Sequence, residues 1–187
     1  IGESAANECV TDLGTTEIPD GATGFVINSE ESLASFQVTE ELAGQGVTDA
    51  VGNTNAVIGM ILVDADGNPL ACSRIDVDLR TLVTDESRRD GQIQNALNTE
   101  ANPVATFIVT EITGLEGPLE DGIETELMLI GNLTINGVEK QVSWTTTVTI
   151  QDGTITGTAN TTITFDQFEV EKPEMGPALS IEDDVTL

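Results

Sequence analysis

Ser73 to Val109, which reads SRIDVDLRTLVTDESRRDGQIQNALNTEANPVATFIV, decides the fold. Its first residues alternate. Ile75, Val77 and Leu79 fall on one face of an extended strand, and Arg74, Asp76, Asp78 and Arg80 on the other. A polar segment follows, Thr81 to Asn98, with Thr84 placed as a helix N-cap and Ile93 and Leu97 four apart on one helical face. Pro103 closes the connection, because the residue before a proline is held out of the helical region, and a strand is expected from Val104 to Ile112. All four arginines of the chain lie between Arg74 and Arg89. Arg74 and Arg80 are expected to pair with acidic neighbours on the outer face, and Arg88 and Arg89 to anchor the connection across the interior or its rim, the alternative being that Arg88 or Arg89 meets a diphosphate head group.

Working outward, Thr125 to Phe165 carries a register that can be derived. Asn136-Gly137 and Asp152-Gly153 are two-residue turns of the primed type, whose twist matches that of antiparallel strands. The first turn pairs Ile135 with Val138, Leu133 with Lys140, Gly131 with Val142, Leu129 with Trp144 and Leu127 with Thr146. The second pairs Ile150 with Ile155, Val148 with Gly157, Thr146 with Ala159, Trp144 with Thr161 and Val142 with Ile163. One face then collects Leu127, Leu129, Leu133, Ile135, Val142, Trp144, Val148, Ile150, Ile155, Ile163 and Phe165. The opposite face of the last two strands is almost wholly threonine and other polar residues.

These pieces, in this order, resemble the YceI-like family, the polyisoprenoid-binding or lipocalin-like domain. The matching residues are Val77, Asp78, Leu79, Thr81, Leu82 and Thr84, then Arg88, Arg89 and Asp90, then Pro103, Ala105 and Phe107, and finally the hairpin Gly131 to Gly137. The resemblance spans roughly Gly24 to Leu187. It implies an antiparallel eight-stranded lipocalin-like barrel with one short helix near 85–97. It also implies an isoprenoid-type lipid, a quinone or polyprenyl chain, held in the barrel. The chain has no histidine. Glu31 and Asn136 stand where the family often has one.

The rest of the chain is read around that frame. Residues 1–23 form a polar arm and 24–187 the barrel domain. Strands are expected near Phe25 and Ile27 and from Leu33 to Val38, where Ala34, Phe36 and Val38 share a face. Glu40 to Asn55 reads as a glycine-rich connection at the barrel mouth. Ala56 to Val63 is a strand apolar on both faces. Asp64, Asp66 and Asn68 have the spacing of the first ligands of a calcium loop, but the later glutamate is missing and the segment reads as a turn. Phe168 and Val170 are expected to flank a rim. Residues 171–177 form a loop, and Leu179, Ile181, Val185 and Leu187 suit a closing strand.

The composition excludes several functions. With 33 acidic residues against 6 basic, the formal charge of −27 repels nucleic acid and anionic membrane surfaces. No stretch reaches the ~20 apolar residues of a membrane-spanning helix. No leader segment is read at Ile1, and the chain is expected to be a mature or trimmed form. There is no histidine for a triad or a metal cluster, no P-loop and no dinucleotide-binding glycine motif, so no enzyme and no metal site is expected. Cys72 shares parity with Arg74 and Asp76, pointing outward. A disulfide to Cys9, tying the arm down in an extracytoplasmic compartment (periplasmic, secreted or cell-surface), is expected over two unrelated thiols.

The expected ligand-binding lining is Phe36, Val38, Ile75, Val77, Leu79, Phe107, Val109, Leu127, Leu129, Gly131, Val142, Trp144, Gly157, Ala159, Ile163 and Phe165. The small residues on that face have two readings: glycine permits sharp coiling as a barrel closes, or missing side chains leave room for a guest. Three functions follow: an isoprenoid carrier without any required cofactor, a non-catalytic scaffold or accessory subunit of an extracytoplasmic assembly, and a salt-adapted or cation-binding module.

Overall fold

The computed structural model describes residues 18, 20–70, 73–115, 117–173 and 178–187. The strands are β1 (Thr23–Val26), β2 (Ala34–Leu42), β3 (Gly46–Thr54), β4 (Val57–Val63), β5 (Arg74–Asp78), β6 (Val104–Thr113), β7 (Glu124–Ile135), β8 (Val138–Gln151), β9 (Thr154–Asn160), β10 (Thr162–Thr164) and β11 (Ala178–Thr186). One α-helix, α1 (Ser87–Ala96), lies between β5 and β6. Seven strands form a sheet in the order β1-β4-β5-β6-β7-β8-β9, and four form a second in the order β10-β11-β2-β3. Every pairing is antiparallel.

The two sheets are one curled surface, because some strands pass between them. β3 turns into β4 across Asn55 and Ala56, with the Ala56 N–H donating to Thr54 Oγ1 at 3.0 Å. β9 turns into β10 across Thr161, which still exchanges two backbone hydrogen bonds with Leu187. β1 and β2 lie along the two halves of the bent β3–β4 strand. Counting each of these three pairs once reduces the eleven segments to about eight. The expected eight is thus a count of bent strands.

The hairpin chemistry acts as expected. Asn136 and Asp152 have φ of 52° and 51°, and Gly137 and Gly153 follow with positive φ, as a primed turn requires. All the derived pairs from Leu127–Thr146 to Ile135–Val138, and from Thr146–Ala159 to Ile150–Ile155, occur. The last two do not. At Thr161 the strand leaves β8, so Ile163 pairs with Val185 rather than Val142, and Thr161 bonds Leu187 rather than Trp144. Alternation continues through such a corner, so sequence pattern alone does not register it.

Three other expectations change. Glu40 to Asn55 is not a connection: β2 runs on to Leu42, and β3 occupies Gly46 to Thr54. The helix begins at Ser87 rather than beside Thr84. Thr84 instead locks onto Asp90, with its N–H and hydroxyl both 2.7 Å from Asp90 Oδ1. The helix ends at Ala96, and Asn98, just past the C-cap Leu97, has a φ of 50°, a left-handed stop. Phe168 and Val170 are core residues, not rim residues, with Phe168 wholly buried.

Candidate binding site

The registers give the barrel two unlike ends. At one end lie α1, the Asn136 turn and the 3₁₀ turn Asp166–Phe168. There Leu79, Leu82, Ala105, Leu133, Ile135, Val142, Phe168 and Val170 are all buried in one cluster. Asn136 ties this end together by donating from Nδ2 to the carbonyls of Phe168 and Glu169 at 3.4 and 3.1 Å. At the other end lie the Asp64–Asn68 turn, the loop after β6 and the Asp152 turn. There Phe25, Ile61, Ile75, Ile112, Leu127, Val148 and Ile155 are only half-buried. The first end is closed and the second open.

The expected lining is not uniformly buried. Val38, Leu79, Phe107, Val109, Leu129, Val142 and Ile163 are buried core. Phe36, Val77, Leu127, Trp144 and Phe165 pack on that core half-buried. Ile75 is half-buried, Gly131 is buried, and Gly157 and Ala159 are exposed on β9. Trp144 sits between the two ends, with its ring centroid 5.7 Å from that of Phe107. Its indole Nε1 is buried without a hydrogen-bond partner among the described residues.

Of the two readings of the small residues, the structure supports coiling. A Cβ on Gly157 would lie 2.1 Å from the Thr147 carbonyl oxygen. A Cβ on Gly131 would lie 2.1 Å from the Ile108 carbonyl oxygen and 2.8 Å from the Phe107 ring. The neighbouring backbone has moved into the room that a side chain would need. At Gly52 in the other sheet the room is taken by a side chain instead, the Phe36 ring lying 2.1 Å from where a Cβ would be.

The closed end also buries charge. Arg89 on α1 reaches across to Glu40 on β2, with Nη2 to Oε1 at 2.7 Å, and its other branch pairs with Asp85. Glu40 is 1% exposed and Arg89 8%. Glu40 Oε2 and Arg89 Nε have no partner among the described residues. Arg74 pairs with Asp76 at 2.8 Å and Arg80 with Asp78 at 2.7 Å, as expected for the outer arginines, while Arg88 is exposed. Hydrogen bonding from the Arg80 side chain holds the Asp78 carboxyl below its ordinary pKa. In the sequence Glu40 reads as the start of a connection. Its parity with Phe36, Val38 and Leu42 on β2 was the available signal.

The Asp64–Asn68 segment is a turn: Asp64 Oδ1 accepts the backbone N–H groups of Asp66 and Asn68 at 2.9 and 2.8 Å. No cluster of metal-ligating side chains occurs among the described residues. No helix among them is long and apolar enough to cross a membrane, which says nothing about strands. Cys9, Cys72 and most of the arm lie outside the described residues.

The model of the YceI-like domain matches residues 25–187. UPF0312 proteins of Shewanella sp. strain ANA-3 and of Shewanella baltica strain OS155 are 32% and 33% identical over 126 residues, 65% of this chain. The match spans 60% of the length of those relatives. BcnA of Burkholderia cenocepacia superposes with a TM-score of 0.66 at 17% identity, covering 86% of this chain and 94% of that one. A polyisoprenoid binding domain from Saccharophagus degradans, implicated in plant cell wall breakdown, gives a TM-score of 0.63 at 13% identity, covering 87% and 92%. At such identities the two structures speak for the fold.

Proposed function

The chain belongs to the YceI-like domain family, and from that premise we propose that it carries an isoprenoid-type lipid on the apolar ring at the open end of its barrel. The observation that supports this most is the contrast in burial between the ends. The closed end holds most of the buried cluster, with Val77, Leu97, Val138 and Phe165 half-buried at its margin, whereas Ile61, Ile112 and Leu127 at the open end, and Trp144 between the ends, adjoin the core half-buried. A guest lying on them removes apolar surface from water, and each buried methylene contributes ~0.8 kcal/mol. Chain length then sets affinity without specific contacts, which suits a polyprenyl or quinone tail. The polyisoprenoid binding domain among the structural relatives has the same fold.

The charge of the protein narrows the head group. At −27 it repels a diphosphate, and Arg89, the cation nearest the interior, is already engaged by Glu40 and Asp85. An uncharged head, a quinone or an alcohol, fits better, and its oxygen could accept from the buried Trp144 indole N–H. The reading is of binding without chemical turnover and without a required cofactor, in an extracytoplasmic setting. A Cys9–Cys72 cross-link in non-reducing peptide mapping would support that setting, and two free thiols would count against it.

Trp144 is the only tryptophan, so its fluorescence reports on the site alone. Titration with an uncharged prenyl alcohol should change that fluorescence saturably, and a longer prenyl chain should bind several-fold tighter than a short one. Native mass spectrometry of gently purified protein should show one lipid per chain. Equal affinities for both lengths, or no fluorescence change, would overturn the reading.

A further inference from the structure

β3 ends the four-stranded sheet, with β2 on one side. Among the described residues its other edge is bonded only near its end, where Asn53 and Val83 exchange both backbone hydrogen bonds at 2.9 and 3.0 Å. In an antiparallel strand the N–H and C=O of a residue point to the same side, and the side alternates. Asn53 therefore fixes the rest: Val51, Asp49 and Val47 aim their backbone groups at the same open edge. Their side chains share the outer face, where Val47 is 73% exposed and Val51 40%. Beside them runs a groove of about 470 Å³ between β3 and the segment after β5, lined by Asp49, Val51, Asn53, Val83, Thr84 and Asp85. Two valines and two carboxylates are among the residues that line it. Asp49 is held in place, accepting from Gln37 Nε2 and Thr39 Oγ1, both at 2.9 Å.

We propose that this edge is a docking site for an extended basic segment of a partner protein, which adds to the sheet as a strand beside β3. Val83 already starts that strand at Asn53, and the chain then turns away toward α1, leaving the next positions open among the described residues. Main-chain hydrogen bonds to Val51, Asp49 and Val47 would hold the segment, and alternate side chains would select it. Opposite Val51 and Val47 it needs apolar residues, and opposite Asp49 a lysine or arginine. Charge selects a basic occupant over a second copy of this chain, because two molecules of −27 repel each other. The site is on the outer face and is independent of the lipid proposal.

The probe is an acetylated, amidated synthetic peptide in which valine, threonine, lysine, threonine and valine alternate. Binding to the full chain is followed by amide hydrogen exchange. The expected result is slowed exchange at Val47, Asp49 and Val51, with affinity falling as salt is raised and at least five-fold weaker for a peptide with glutamine in place of lysine. Val51→Pro removes one donor on the open edge without touching the β2–β3 ladder, and it should abolish the protection while leaving prenyl-alcohol binding unchanged. Three results would overturn the proposal. These are slow exchange of the three amides in the free monomer, a dimer lost on Val51→Pro, or peptide binding whose protection misses β3.

Discussion

At the closed end of the barrel Phe168 is wholly buried, Leu79 and Leu82 of the segment that leads to α1 are buried, and Glu40 meets Arg89 inside the protein. At the open end Ile112, Leu127, Val148 and Ile155 have the same chemistry and face the same interior, yet remain half-buried. The strands are shared, so intrinsic propensity does not account for the contrast. What differs is cover. Among the described residues, one end has a helix and a 3₁₀ turn beside it, and the other has only loops. Apolar side chains become core when something is packed across them; uncovered, they form a surface that a guest can occupy.

The largest effect should come from breaking the covered end. Arg89→Leu leaves the Glu40 carboxylate buried without its guanidinium and should cost about 3–5 kcal/mol in urea unfolding. Lipid binding per folded molecule should be unchanged, because the open end is untouched. A loss of affinity at full stability would instead tie Arg89 to the ligand and erase the distinction between the ends.

A smaller effect tests the region between them. Gly157→Ala forces a Cβ against the Thr147 carbonyl, and overpacking of this kind costs about 1–3 kcal/mol by thermal or urea unfolding. Gly157 is exposed, so a side chain that met only open space would cost nothing. A neutral result would restore the reading of these glycines as room for a guest.

The smallest effect belongs to the outer face, which lies on neither side of the contrast. Asp78 is held below its usual value of 3.8 by its hydrogen bond from Arg80. Its contribution to stability is present above the unfolded value and is lost as pH falls through the depressed folded value. Asp78→Asn should therefore flatten acid unfolding only below about pH 4 and leave stability at neutral pH nearly unchanged, since such surface pairs contribute little. A large shift at pH 7 would show that this pair braces the closed end through Leu79.

Legibility in the sequence followed distance along the chain. The two primed turns set the pairing of β7, β8 and the first part of β9 residue by residue, because a two-residue turn leaves its strands one register. The same reasoning failed at Thr161, where the partner changes while alternation does not. It also failed at Glu40–Asn55, where glycines at 44 and 46 frame a short turn and Gly52 lies within β3 under the Phe36 ring. An acidic residue after Val38 read as the end of a strand. Its partner Arg89 lies 49 positions away on a helix, so nothing local marked it as buried.

By itself the sequence determined the β class, the place of the helix α1, the meander and its inward face, and the charge that turns away polyanions. Turn chemistry, alternation and composition act between neighbours or over the whole chain, and need no closure to operate. Only the tertiary structure decided where β3 and β9 change sheets, which end is covered, that Glu40 meets Arg89, and that backbone fills the space beside Gly131 and Gly157. Each of these depends on which distant segment arrives at a given strand, and that is set when the curled sheet closes on itself.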